Sequence, residues 1–241
     1  MTKYTKNNYL IIIFIFLILI LFNRFYGQKL ELKTEYCKNP KLWLHAAGSH
    51  EKLKYAFEND FCGVEVDTTF SADRGLIASY NKPNDINAEK LKDLVRNNKG
   101  IKYWWLDFKN LNYSNANEAS QLLESLSVID KKNVFLIESH DFIGLWFLKL
   151  EFDNIYKVYW LAKGPNKNSH IHWSTPLYYL RSVIANIVLN PDFISMFYYQ
   201  VGQNDFLWVG KRHKFAFTVN DIYEYERLIQ MGVHVVLTDN L

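Results

Sequence analysis

Two cysteines, Cys37 and Cys62, are all that the 241 residues contain, and their spacing matches no paired-cysteine ligand motif, which excludes a thiolate zinc site. Two separate thiols are the expectation, with Cys62 buried; one disulfide between the segment before the first strand and the start of the second is the alternative in an oxidising compartment. A glycine-rich phosphate loop is absent, as are internal repeats and any low-complexity linker, so one domain is preferred to two small ones. Charge of one sign is lacking too: 28 basic against 25 acidic residues leave a formal +3. With no dense Lys/Arg block interleaved with aromatics, nucleic acid is not an expected partner.

A long spanning run is also missing, but a short one opens the chain. From Tyr9 to Phe22 there is no charge and the residues are almost entirely Ile, Leu and Phe. This length suits a signal-peptide core, yet no small-x-small cleavage site follows, which favours an uncleaved signal anchor over residues 1–28. Lys3, Lys6 and the amino terminus place the N-terminus in the cytoplasm, against a weaker opposing bias from Arg24 and Lys29. The remaining domain, residues 29–241, is then expected outside the cytoplasm, or secreted if the segment is removed.

From Lys41 onward, short apolar or aromatic runs alternate with stretches of helical periodicity. Strands are expected over 42–47, 62–70, 102–110, 133–139, 155–162, 194–201, 214–220 and 234–239. Helices are expected over 49–60 with Ser49 as N-cap, 87–98, 116–129, 141–152, 175–189 and 221–231 stopped by Gly232, with a short one at 204–210. Residues 72–75 read as a turn into a short returning strand over 76–80. Eight strands with intervening helices predict a compact (β/α)8 TIM barrel lacking its last helix; a doubly wound open sheet is the alternative.

Polar residues gather at the ends of these strands. In Gly-Val-Glu-Val-Asp-Thr-Thr-Phe, Glu65 and Asp67 are two apart and share a face, while Val64 and Val66 take the other. Asp107 and Lys109 follow the same spacing in Trp-Trp-Leu-Asp-Phe-Lys-Asn, and His45 ends the first strand. Acids brought together in a partly dry site raise one another's pKa unless a cation neutralises them, and oxygen-only ligands favour Mg²⁺ or Ca²⁺ over zinc. The bland alternative is a set of solvated acids at strand ends.

With these residues placed, the chain resembles the glycerophosphodiester phosphodiesterase and phospholipase-C-like phosphodiesterase superfamily. There a His ends the first strand, Glu-x-Asp the second, and an acid-x-Lys pair the third; here these are His45, Glu65 and Asp67, and Asp107 and Lys109. Phe217-Thr218-Val219-Asn220-Asp221 resembles the family's Trp-Thr-Val-Asn segment, and Leu237-Thr238-Asp239-Asn240 its closing Thr-Asp. The Asp at the third ligand position, with Lys two residues on, is closer to the sphingomyelinase D branch. Two departures stand out: Ala46 replaces the Arg after the first His, and Ser79-Tyr80-Asn81 occupies the region of the second catalytic His.

The resemblance implies phosphodiester cleavage with a divalent cation on Glu65, Asp67 and Asp107, charge stabilisation by Lys109, and proton handling of the attacking group by His45. For the leaving group, Tyr80 is nearest in sequence to the replaced His, and His172, with His170, lies in the loop after the fifth strand. His50 and His140 are expected near the same rim, and His213 and His234 at the opposite face. The run Met196-Phe197-Tyr198-Tyr199 either lines a pocket or is buried in the barrel. Two readings follow: a membrane-anchored, metal-dependent phosphodiesterase acting on a lipid-derived or glycan-linked phosphodiester, or a catalytically silent barrel that binds or assembles. Oligomeric state and head group are not legible.

Overall fold

The computed structural model describes residues 18, 37–80, 82–148, 155–161, 183–202 and 212–241. Nine strands form: β1 (Asn39–Leu44), β2 (Phe61–Ser71), β3 (Gly75–Ala78), β4 (Tyr103–Phe108), β5 (Val134–Ser139), β6 (Ile155–Trp160), β7 (Phe193–Phe197), β8 (His213–Phe217) and β9 (Val233–Thr238). All but β3 are parallel, in the order β1-β9-β8-β7-β6-β5-β4-β2, and pairing of β1 with β2 closes the sheet into an eight-stranded barrel. That closure rules out the doubly wound sheet. β2 is long enough to serve two partners on one edge. Its Phe61, Gly63 and Val64 pair with β1, and Thr68 to Ser71 pair antiparallel with β3, the expected returning strand.

The described helices are α1 (His50–Glu58), α2 (Leu91–Asn97), α3 (Ala116–Ser127), α4 (Phe142–Phe147) and α5 (Ile222–Gln230), and residues 183–189 are also helical. Ser49 caps α1 by accepting from the Lys52 N–H, and Asp221 caps α5 by accepting from the Glu224 N–H at 2.8 Å. Gly232, with φ of 77°, ends the turn after α5 in the left-handed region that glycine enters at least cost. The helix expected from residue 87 begins only at Leu91. The preceding backbone is drawn to β3 instead: the Ala78 N–H donates to the Glu89 carbonyl at 2.8 Å, and Ile77 bridges Lys90. The expected helix over 204–210 and, apart from residue 18, the N-terminal anchor lie outside the described residues. No helix among the described residues is long and apolar enough to cross a membrane.

Strand alternation divides the core into two layers. Val64, Val66, Trp104, Leu106, Phe135 and Ile137 face outward into the shell packed by the helices, as the period-2 reading of β2 required. Facing inward, Trp43, Tyr103, Trp105, Phe193 and Phe215 fill the barrel with aromatic rings: Trp43 lies 5.7 Å from Tyr103 and 6.2 Å from Phe215, and Trp105 lies 5.1 Å from Phe215. Gly63 makes room for this plug, since a Cβ there would sit 2.6 Å from the Trp43 indole. At the opposite end from the plug's polar rim, Cys37 and Cys62 form a disulfide with Cα atoms 5.2 Å apart. The expectation of two separate thiols is therefore corrected: the pairing of β1 with β2 brings Cys37, two residues before one strand, beside the second residue of the other, within ordinary disulfide reach.

Gly63→Ala tests the plug directly. Overpacking against the buried, closely held Trp43 is expected to cost about 1–3 kcal/mol of unfolding free energy, measurable by guanidinium denaturation.

Candidate active site at the barrel mouth

Alternation along β2, β4 and β5 carries one acid per strand end, or two, to the same mouth. Register places Asp67 beside Asp107 and Asp107 beside Glu138, with Glu65 one inward step below Asp67. Candidate ligand oxygens of Glu65, Asp67 and Asp107 all lie within 4.8 Å of one another. Oxygens bound to one hard cation at about 2.0–2.5 Å can be separated by no more than about 5 Å, so these three fit a single Mg²⁺ or Ca²⁺. Glu65 is 2% exposed, and its Oε1 is buried with no hydrogen-bond partner. Its Oε2 accepts from the Ala46 N–H at 2.7 Å, from a residue held at φ of 52°. One oxygen is thus fixed by backbone and the other is left for a cation, which is the arrangement expected of a ligand and not of a solvated strand end.

Lys109 Nζ bridges the site, 2.5 Å from Asp107 Oδ2 and 2.7 Å from Asp67 Oδ1. Burial opposes its charge, but the two carboxylates outweigh burial and raise its pKa above the usual lysine value. The aromatic ring of Tyr80, a residue 69% exposed, lies 4.8 Å from the same ammonium. His45 Nδ1–H donates to Asp239 Oδ1 at 2.9 Å, and its Nε2 lies 3.8 Å from Glu65 Oε2. Asp239 is held in turn by Asn220, whose amide donates to Oδ2 at 2.8 Å and whose carbonyl oxygen accepts from the Asp239 N–H. Burial pushes the Asp239 carboxyl up, yet the hydrogen bonds from Asn220 and His45 prevail and hold it below the ordinary range. The C-terminal Thr-Val-Asn and Thr-Asp segments therefore meet, and together they orient His45 with Nε2 toward the carboxylates.

The structure thus brings together five of the residues singled out in the sequence, His45, Glu65, Asp67, Asp107 and Lys109, and sets Tyr80 over the last. His172 and His170 lie outside the described residues. His140 is at the rim, exposed, with its ring 6.0 Å from Trp160. His50, the first residue of α1, pairs with Glu89 at 2.9 Å. His213 and His234 stand at the N-terminal ends of β8 and β9, away from the mouth, as expected. Of the aromatic run, Met196 is buried in the outer layer while Phe197 lines the site.

Glu138 was not anticipated. It is 2% exposed and faces inward from the end of β5, where its Oε2 is buried without a close donor and the Ser195 hydroxyl is the side chain that favours its charge. The signal was present: Phe-Leu-Ile-Glu-Ser ends an apolar strand with an acid, as the strand ending in Asp107 does. Together with His45, Glu65, Asp107 and Lys109, Glu138 borders a cavity of about 220 Å³ whose remaining wall includes Trp105, Trp160, Phe197 and Phe217.

Desolvation raises Glu65 and Glu138 well above the usual glutamate value, reinforced by Asp67 and Asp107 for the first and by Asp107 for the second. Asp107 is raised by burial as well, against the pull of Lys109. Such shifts mark a mouth with more carboxylates than cations.

No family model and no curated protein matches the chain. Solved structures do share its fold. A phosphodiesterase from Oleispira antarctica, solved with the product sn-glycerol-3-phosphate, aligns with a TM-score of 0.63 at 13% identity over 83% of this chain and 93% of that one. A glycerophosphodiester phosphodiesterase from Parabacteroides distasonis aligns at 0.60 and 16% identity over 84% and 94%. A calcium-dependent phosphoinositol-specific phospholipase C from Pseudomonas sp. aligns at 0.53 and 7% over 83% and 88%. At these identities the likeness is one of fold: the chain shares the closed barrel of these phosphodiesterases and this phospholipase C.

Glu65, Glu138 and Asp107 have folded-state pKa values raised above their unfolded ones, so their contribution to stability is full at low pH and is lost as pH rises through the folded values. In metal-free protein the melting temperature is expected to fall as pH rises above the ordinary carboxyl range. Glu138→Gln removes one of the three groups and should make that slope shallower in a series of thermal melts.

Proposed function

We propose that the chain is a divalent-metal-dependent phosphodiesterase, cleaving a glycerophosphodiester, phospholipid-derived or glycan-linked phosphodiester by hydrolysis or by internal attack of a neighbouring hydroxyl. The observation that carries this reading is the meeting of Glu65, Asp67 and Asp107 within reach of one cation, beside Lys109 and an oriented His45. Mg²⁺ or Ca²⁺ held by the three carboxylates would neutralise non-bridging phosphoryl oxygens and polarise the phosphorus. Lys109 adds a fixed positive charge at the same place. His45, with Nδ1 tied to Asp239, presents Nε2 to take the proton of the attacking hydroxyl. The leaving alkoxide then needs a proton, for which Tyr80 beside Lys109 and His172 are the candidates.

The N-terminal apolar run supports anchoring to a membrane with the barrel outside the cytoplasm, and the Cys37–Cys62 disulfide is consistent with an oxidising compartment. A second reading, a silent barrel that binds or assembles, draws on the loop after β3. Ser79 there is buried: its N–H donates to the Asp67 carbonyl, its hydroxyl to the Lys82 carbonyl, and its carbonyl accepts from the Thr69 hydroxyl, and no described residue of that loop is a histidine.

Phosphorus NMR of glycerophosphodiesters, lysophospholipids and sphingomyelin incubated with the protein separates the two. The expected result is a product that requires Mg²⁺ or Ca²⁺, vanishes with chelator, and falls at least about 10²-fold for Asp67→Asn. Folded protein that binds the cation and turns over nothing would favour the silent barrel. Sequencing of the mature N-terminus tests the anchor, for which a start near Gln28 would be fatal.

A further inference from the structure

Cleavage by the proposed route leaves one proton to be supplied. His45 removes the proton of the attacking hydroxyl, and an alkoxide leaving phosphorus is too basic to depart readily without receiving one. In-line displacement sets the attacking and leaving oxygens on opposite sides of the phosphorus. The donor must therefore stand across the carboxylate cluster from His45, be open to substrate, and exchange its proton near neutral pH.

Among the described residues, His140 meets these conditions. The barrel order β1-β2-β4-β5 puts the strands that carry Glu65, Asp67 and Asp107 between His45, just past the end of β1, and His140, just past the end of β5. His140 follows the inward-facing Glu138 by two residues, the spacing that keeps it on the same face. Its ring meets that of Trp160 edge-on, with centroids 6.0 Å apart and planes at 89°, and Trp160 lines the cavity. The residue is exposed, so substrate can reach it, while the backbone around it is fixed. Ser139 is fully buried and its hydroxyl accepts from the Asp141 N–H at 3.2 Å; Asp141 in turn caps α4 by accepting from the Gly144 N–H at 2.9 Å. Burial raises the Asp107 carboxyl, and the positive charges of Lys109 and of protonated His140 pull against it, which puts the imidazole within electrostatic reach of the cluster.

The other histidines and Tyr80 are placed differently. His50 is paired with Glu89 at 2.9 Å and meets Asn98 at 3.0 Å, and His213 and His234 stand at the opposite end of the barrel. Tyr80 lays its ring 4.8 Å from the Lys109 ammonium. A phenol ordinarily releases its proton near about pH 10 and an imidazole near about pH 6.5, so the imidazole is the better matched donor at neutral pH. His172 lies outside the described residues.

We propose that His140 is the catalytic acid that protonates the leaving oxygen, with His45 as the base on the opposite flank. This rests on the phosphodiesterase reading. In the step, the attacking oxygen bonds to phosphorus as its proton passes to His45 Nε2. The bond from phosphorus to the leaving oxygen breaks, its electron pair stays on that oxygen, and the His140 proton joins it there. Protonated His45 and neutral His140 then exchange protons with solvent and return to their starting states.

The test compares the ethyl and 4-nitrophenyl esters of glycerol 3-phosphate, incubated with the full chain and Mg²⁺ or Ca²⁺. Nitrophenolate leaves without a proton, whereas ethoxide needs one. In His140→Gln and in His140→Ala the ratio of the ethyl-ester rate to the nitrophenyl-ester rate is expected to fall about 10²-fold or more, at a melting temperature equal to that of the wild type. An unchanged ratio, whether both rates fall together or neither falls, would overturn the assignment, because a merely structural or binding role moves both esters alike. So would a fall of the ratio in Tyr80→Phe or His172→Gln with none in His140→Gln. Wild-type protein that cleaves neither ester would overturn the phosphodiesterase reading and His140 with it, an outcome distinct from the others because they are read only where the wild type turns over.

Discussion

Four carboxyl groups pointing into a space closed from below by aromatic rings repel one another and cannot all be hydrated, and the architecture of the mouth answers that constraint. Lys109 ties two of them, Asp67 and Asp107, into one bridged unit. The Ala46 N–H fixes one oxygen of Glu65 and leaves the other without a partner. Asp239 is the contrast: it lies partly in solvent, bonded to Asn220 and His45, and keeps its charge easily. The raised pKa values of Glu65, Asp107 and Glu138 are the residue of a problem that the protein's own cations do not fully solve. A site built this way is costly for a pure scaffold and is suited to binding positive charge.

The aromatic plug makes the constraint sharper. Trp43, Tyr103, Trp105, Phe193 and Phe215 occupy the interior where smaller aliphatic side chains would leave more room for water, and Gly63 accommodates the largest of them. The cavity above is therefore shallow, with its polar half supplied by β1, β2 and β4 and its ring-lined half by β4 and β6 to β8. β2 links the two purposes. Its first half closes the barrel against β1, its middle delivers Glu65 and Asp67, and its last residues run past the rim to carry β3 and the Tyr80 loop over Lys109.

Much of this was legible in the residues. All eight barrel strands lie within a few residues of their expected places, because apolar runs bounded by turns are a local pattern. The shared face of Glu65 and Asp67, and of Asp107 and Lys109, follows from the two-residue period of a strand and needed no partner to be known. Glu138 was missed because a lone acid at a strand end has the same local pattern whether it is solvated or buried. The start of α2 was misplaced because propensity favours helix from Asn87, while hydrogen bonding to β3, a long-range contact, holds the backbone extended up to Lys90.

The chain by itself determined where the strands run, which side chains share a face, and that five polar residues lie at strand ends, since each is a property of neighbours along the backbone. Closure of the barrel decided the rest. Only when β1 pairs with β2 does His45 come within 4 Å of Glu65 and does Cys37 meet Cys62, and it is the pairing of β1 with β9 that brings Asp239, at the end of the last strand, to His45. Burial, too, belongs to the closed form: the elevated carboxyl pKa values and the ring-lined wall around Glu138 arise from strands far apart in sequence crowding one small volume, a distance that no local pattern encodes.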